Sequence, residues 1–275
     1  MLFLFIVLLS YALFIIYLNK RYPELKWDWN KIDTSKISFP TKFIWGTATA
    51  SHQVEGGCDN NNWFRWESQV DENEIPRIKD NQKAGIACDN WNLYNKDISL
   101  LKNLGVNSYR FSLEWSKIEP SQGNFNLIAI EHYMKVIDSL LKLEITPVIT
   151  LHHFTEPLWF AEIGGFEKEE NIDYFIEFCV FIFSKYSHKV KTWCTINEPE
   201  VYSVMGYFAG IFPPGKKDPQ LAANVQKNLL IAHTRVYKAL KNLKNGCDSK
   251  IGIVKNVMQF DPYRRYHLFD WIVCL

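Results

Sequence analysis

The sequence lacks an excess of either charge: 31 Lys and Arg stand against 30 Asp and Glu in 275 residues, a net charge of +1. That balance provides no electrostatic footprint for nucleic acid or for an acidic partner, so nucleic-acid binding is not expected. The chain also lacks GxGxxG and GxxxxGK(S/T), the Gly-rich turns with which nucleotide folds cradle phosphate after a strand. Its six cysteines, Cys58, Cys88, Cys179, Cys194, Cys247 and Cys274, have no CxxC or other metal-ligand spacing. Cys179 and Cys194 sit inside apolar runs, and the set reads as reduced core residues. No internal repeat or low-complexity tract occurs. What remains is 47% hydrophobic and 22% charged, enough to bury a large core, with no signature of disorder.

Residues Leu2 to Leu18 are apolar apart from Ser10 and carry no charge, and Asn19, Lys20 and Arg21 follow at once. A membrane helix over residues 2–18 is the leading reading, although about 20 residues are needed to cross the hydrocarbon core. A cleaved signal peptide, which would make the protein secreted, usually shows a positive n-region and a small-residue cleavage site, and neither is visible. A misassigned start codon is the third reading. By the positive-inside tendency, Lys20 and Arg21 place the following domain on the cytoplasmic side. The domain division is then residues 1–19 as anchor or signal, 20–38 as a charged, Trp-rich linker, and 39–275 as a globular part.

In that globular part, short apolar runs alternate with longer amphipathic ones. Phe43 to Ala48, Val106 to Leu113, Ile145 to Leu151, Lys191 to Ile196 and Ile251 to Val257 read as strands. Between them, Ile130, Tyr133, Met134, Ile137, Leu140 and Leu141 line one face of a helix. Alternating strands and helices imply a parallel sheet. Polar groups gather at strand ends: Gln53 and Glu55, Arg110 and Glu114, His152 and His153, Asn197 and Glu198. In a (β/α)8 barrel of the TIM type those ends converge on one mouth, so residues distant in sequence meet there. Five strands at about 48 residues per unit leave eight units needing roughly 380 residues. The expectation is therefore a barrel truncated to about its first five β/α units, ending without a helix-stop signal.

Five segments, in order, resemble glycoside hydrolase family 1, the β-glucosidase family. They are Phe43-Ile44-Trp45-Gly46-Thr47-Ala48-Thr49-Ala50-Ser51-His52-Gln53-Val54-Glu55-Gly56-Gly57, Tyr109-Arg110-Phe111-Ser112, Thr150-Leu151-His152-His153-Phe154, Thr195-Ile196-Asn197-Glu198-Pro199 and Phe212-Pro213-Pro214-Gly215. The resemblance implies retaining hydrolysis of a β-glycoside with no metal or organic cofactor. It makes Glu198 the acid/base and Arg110 the residue that holds the nucleophilic carboxylate. Gln53, His153 and Asn197 become hydrogen-bonding partners of the sugar. The chemistry fits the residue types, because an acetal is broken by an acid at the leaving oxygen and a carboxylate at the oxocarbenium-like centre. Asn197 can both donate and accept toward a 2-hydroxyl.

His152 reads instead as a core histidine bonded to backbone, and Glu55 and Glu114 as structural partners. Trp115, Trp159 and Phe154 are candidate platforms for sugar rings, with core packing as the alternative. Glu156 stands where relatives vary. The family's nucleophile lies in a Glu-Asn-Gly segment that does not occur here. Arg110 is then expected to pair with another carboxylate such as Glu198, or to carry an uncompensated charge. Three readings stay open: a fragment of, or a truncated reading frame from, a working β-glucosidase; a membrane-anchored relative that binds sugar or protein without hydrolysis; and a self-contained half-barrel that dimerises or pairs with a separately encoded second half.

Overall fold

The alternation of apolar patterns becomes a repeated strand-and-helix structure in the computed structural model, which describes residues 1–26 and 28–274. Trp27 of the predicted linker and Leu275 at the end of the predicted globular part lie outside the described residues. The chain divides into two units, Met1–Phe43 with Val257–Leu275, and Ile44–Asn256. Residues 39–43 and 257–274 of the expected globular part group with the N-terminal segment.

The first unit begins with helix α1 (Leu2–Arg21), which outlasts the apolar run by three residues and ends in Lys20 and Arg21. Within the expected linker, Asp28 and Asp33 cap two short 3-10 turns by accepting the backbone N–H groups of Asn30 and Ser35.

The second unit holds five parallel strands in the order of the chain: β1 (Gly46–Thr49), β2 (Ser108–Ser112), β3 (Thr146–His152), β4 (Thr192–Asn197) and β5 (Lys250–Val254). Parallel neighbours need long crossovers, which the helices supply. After β1 come α2 (Ser51–Val54), α3 (Asn62–Glu67) and α4 (Asn90–Leu104), and after β2 come α5 (Trp115–Ile118) and α6 (Leu127–Lys142). Then α7 (Leu158–Glu162) and α8 (Ile172–Tyr186) follow β3, while α9 (Pro199–Ser203) and α10 (Pro219–Lys241) follow β4. The last helix, α11 (Leu268–Cys274), belongs to the first unit.

Side-chain alternation along each strand divides the sheet into two faces. Tyr109 and Phe111 of β2, Ile149 and Leu151 of β3 and Trp193 of β4 pack against the helices. The helices contribute Tyr133, Ile137 and Leu140 from α6, Phe178 and Ile182 from α8, and Leu229 and Val236 from α10. Of the predicted α6 stripe, Leu141 is exposed and Met134 only half-buried, with Val136 buried instead. On the other face, Gly46 and Ala48 are exposed and Arg110, Val148 and Cys194 half-buried.

Strand limits differ from the sequence reading by a few residues. Phe43 to Trp45 precede β1 rather than forming it, because pairing with β2 starts at Gly46 opposite Ser108. The cysteines are all free. Cys58 and Cys179 are core residues as expected, but Cys88 and Cys247 are exposed, so the single reading for all six is corrected.

Candidate active site

The first turn beyond β1 sets one wall of the site. Gly56 has φ +79, and a Cβ there would lie 2.3 Å from the Ile86 carbonyl oxygen, so only glycine lets the chain turn this closely. Glu55 just before it is buried and accepts from Tyr133 Oη at 2.7 Å and Lys117 Nζ at 3.1 Å. Burial pushes its carboxyl up to about 7 against the pull of Lys117. Glu114 accepts from the hydroxyls of Ser51 at 2.7 Å, Ser116 at 2.6 Å and Thr155 at 3.1 Å. Both carboxyls are committed to holding loops together, in agreement with the structural reading.

Arg110 lies inside β2, and its long side chain carries its charge toward the C-terminal ends of the neighbouring strands. Its Nε donates to Thr150 Oγ1 at 2.8 Å and its terminal nitrogen to Asn197 Oδ1 at 2.5 Å. This corrects the expectation of a carboxylate partner. Among the described residues the guanidinium is met by two neutral acceptors, and Glu198 is reached through Asn197, whose Nδ2 donates to Glu198 Oε2 at 3.2 Å. Asn197 can point this way because the β4–β5 register slips between Cys194 and Asn197. Without that irregularity it would share the side of Trp193 and Thr195, which face Phe183 and His233 of the helix layer.

Glu198 is half-buried and takes φ 42, ψ 64. Pro199 disfavours the right-handed helical region for the residue before it. The Glu198 N–H donates to the Val254 carbonyl at 2.8 Å, and the Glu198 carbonyl accepts from Tyr202 N at 3.1 Å to start α9. The backbone is thus held from both sides while the carboxyl projects beside Asn197.

His153 follows the last residue of β3. Burial, aided by the charge of Arg110, lowers its imidazole to about 4, so at neutral pH the ring is uncharged, with one nitrogen a donor and the other an acceptor. Gln53, exposed on α2, shares with His153 a cavity of about 640 Å³ whose aromatic lining is Trp63 and Phe154. Phe212 meets Trp63 edge-on at 4.9 Å. Gln53, Arg110, His153, Asn197 and Glu198 therefore all serve the C-terminal end of the sheet. They form two groups, and among the described residues no hydrogen bond joins Arg110, Asn197 and Glu198 to Gln53 and His153.

Three expectations change. His152 is fully buried, as a core histidine should be, yet among the described residues neither ring nitrogen has a hydrogen-bond partner, and burial lowers it to about 3. It packs edge-on against Phe166 and Tyr202 at 5.2 and 5.4 Å instead of bonding to backbone. Trp115 is fully buried against Phe160 and Phe178, and Trp159 packs on Trp115 while donating to the Glu119 carbonyl. Both are core, not platforms. The aromatic wall falls to Trp63, which lies ten residues past Gln53 on α3. Its signal in the sequence was the preceding run Asn60-Asn61-Asn62, since Asn61 caps that helix.

A carboxyl group beside a charged-to-neutral relay, a neutral imidazole and an amide next to an aromatic wall can together protonate and hold a polyhydroxylated molecule. Residues 35–268 match the sequence profile described as Glycosyl hydrolase family 1. The chain belongs to this family. Among glycosyl hydrolase family 1 proteins, beta-glucosidase A of Acetivibrio thermocellus is 37% identical over 234 residues, covering 83% of this chain and 51% of that protein. Cytosolic beta-glucosidase of Homo sapiens is 38% identical over 217 residues, covering 75% and 45%. The solved structure of the β-glucosidase from Thermotoga maritima in complex with castanospermine matches with a TM-score of 0.77 at 34% identity, covering 82% of this chain and 51% of that one. The chain spans about half the length of the curated relatives it matches. The family fold makes β1–β5 part of a (β/α)8 barrel, as the strand-end residues implied.

Proposed function

We propose that this chain provides the acid/base half of the site of a retaining β-glycosidase that acts on β-glucoside-like substrates. The observation that carries the reading is the connected line Arg110, Asn197, Glu198 at the strand ends, beside the cavity of Gln53 and His153. Glu198 would give its proton to the glycosidic oxygen as the bond from that oxygen to the anomeric carbon breaks. In the second step it would take a proton from the water that displaces the enzyme carboxylate from the sugar. Asn197 would hold the 2-hydroxyl, and Gln53 and the neutral His153 would bind hydroxyls further round the ring. Arg110 would orient the nucleophilic carboxylate. That second carboxylate, about 5 to 5.5 Å from the acid in retaining enzymes, is neither Glu55 nor Glu114, which are committed elsewhere, and the Glu-Asn-Gly segment that carries it in the family does not occur in these 275 residues. The reaction uses carboxylates and calls for no metal or organic cofactor.

The test uses the 275-residue polypeptide and a chimera that adds the complementary half of the Thermotoga maritima enzyme. The polypeptide alone should not turn over an aryl β-glucoside, whereas the chimera should hydrolyse it with retention. In the chimera, Glu198→Gln should slow glycosides with poor leaving groups far more than activated aryl glycosides, and azide should partly restore turnover. Hydrolysis by the polypeptide alone that survives Glu198→Gln would overturn the assignment.

We further infer that α1 anchors the chain in a membrane. It is long and apolar enough to cross one, and of its residues only Ile15 and Leu18 are buried. Lys20 and Arg21 at its end favour the cytoplasmic side for the residues that come after them. Retention in the pellet after alkaline carbonate extraction supports this reading; a mature N-terminus beyond residue 18 would replace it with a cleaved signal.

A further inference from the structure

We propose that residues 263–274 are a second membrane-contacting element, lying at the level of the lipid headgroups beside α1 and binding an anionic bilayer surface. The proposal rests on α1 being inserted in a membrane. In α11, Phe269, Ile272 and Val273 recur at i, i+3 and i+4, which places them on one helical face, and they are 70%, 58% and 74% exposed. Trp271 points the other way and is 2% exposed, packed with Ile15 and Leu18 of α1.

Polar bonds fix this docking at a definite height on α1. Asn19 Nδ2 donates to the Arg265 carbonyl and Arg265 Nε donates to Asn19 Oδ1, at 2.9 and 2.8 Å. The Arg265 guanidinium also donates to the Tyr22 carbonyl beyond the end of α1. Tyr11 Oη donates to the Tyr266 carbonyl at 2.7 Å. Two charged members of the element satisfy each other, since Asp270 accepts from Arg264 at 2.9 Å. What is left uncovered is the outward apolar face of a helix whose other side, through Trp271, is held against the last turns of α1.

The occupant follows from the surroundings of that face. A helix of seven residues is too short to be stable in water alone, so its order comes from docking onto α1. Whatever covers α1 along its length therefore also reaches Phe269, Ile272 and Val273. At the same level stand the exposed cations Lys20 and Arg21 and the exposed rings of Tyr17, Tyr22 and Tyr266, the composition of a membrane interface next to anionic headgroups. A short helix with one apolar face and one charged face lies in the interfacial plane rather than crossing it.

The full chain, synthesised in the presence of vesicles of phosphatidylcholine with or without phosphatidylglycerol, should carry a photoreactive residue at position 8, 269, 272 or 237 in turn. Lipid adducts are expected at 8, 269 and 272 and not at 237, with those at 269 and 272 rising several-fold when phosphatidylglycerol is present. Arg265→Ala should reduce the adducts at 272 and leave those at 8 unchanged. Adducts at 8 without any at 269 and 272 would overturn the proposal while leaving the anchor intact. Protein cross-links from 269 and 272 in place of lipid would overturn it equally. No adducts at position 8 would remove the anchor and the proposal with it.

Discussion

Glu156 shows how one buried carboxyl makes stability depend on pH. It is 4% exposed, one oxygen accepts from Tyr202 Oη at 3.3 Å, and the other has no hydrogen-bond partner among the described residues. Burial pushes it up to about 8, with the Tyr202 bond opposing and Glu167 adding to the rise. The group is thus protonated in the folded chain at neutral pH but ionised once unfolded. A folded-state value raised above the unfolded one contributes stability that is fully present below about 4.5, declines between about 4.5 and 8, and is gone above that window. The loss approaches about 1.4 kcal/mol per pH unit within it. Glu156→Gln keeps an acceptor for Tyr202 and cannot ionise. Urea unfolding in mild detergent, followed by tryptophan fluorescence at pH 5 and pH 8, should show the wild type losing more stability than the variant. Equal losses would mean that the carboxyl reaches water.

Gly56 supports a second prediction at the same scale. Its positive φ and the Ile86 carbonyl 2.3 Å from a would-be Cβ oppose any side chain. Gly56→Ala should destabilise the second unit by roughly 2 kcal/mol or more, measured by the same unfolding assay. A neutral result would require the 86–87 loop to move freely.

At the scale of elements, end chemistry decides as much as apolar stripes do. Asn126 accepts the N–H groups of Ile128 and Ala129 at 3.0 and 3.4 Å and so starts α6. Asn126→Ala should cost about 1 kcal/mol, while Asn126→Asp should cost far less; equal effects would show that α6 is fixed by packing alone. The order of strands and the α6 stripe could be read from the sequence because period and burial coincide there. Glu198 and Asn197 could be placed at a strand end because Pro199 ends the strand. The direction of Asn197 could not, since it depends on a register slip against β5 that no local pattern encodes. Trp63 takes the place expected of Trp115 for a similar reason. Trp115 follows the polar end of β2 and reads as part of the mouth, but the turn of α5 carries it under the helices, whereas Trp63 comes into place through a loop fixed by Asn61 to His52 and Glu114. The neutral partners of Arg110 were equally hidden, because opposite charge was the only pairing that sequence could suggest.

For the whole molecule, the open question is what β1 and β5 do at their outer edges. Among the described residues each pairs on one side only, and the sheet face opposite the helices leaves Gly46 and Ala48 exposed. A parallel sheet is ordinarily buried on both faces, and unpaired edges recruit other strands. A barrel avoids both costs by closing on itself, with side chains filling its interior. The polypeptide of residues 22–275, freed of α1, should therefore oligomerise or aggregate. The chimera carrying the complementary half, trimmed in the same way, should be monomeric, because that half would pair with both edges and cover the bare face. Light scattering on the two proteins at matched concentration, with calorimetry to follow unfolding, separates the outcomes. A monodisperse monomer of the shorter polypeptide that unfolds cooperatively would show that five β/α units close their own surfaces. The arrangement of Arg110, Asn197 and Glu198 would then be stable before any partner strand arrived, and the second carboxylate would have to dock onto a finished site.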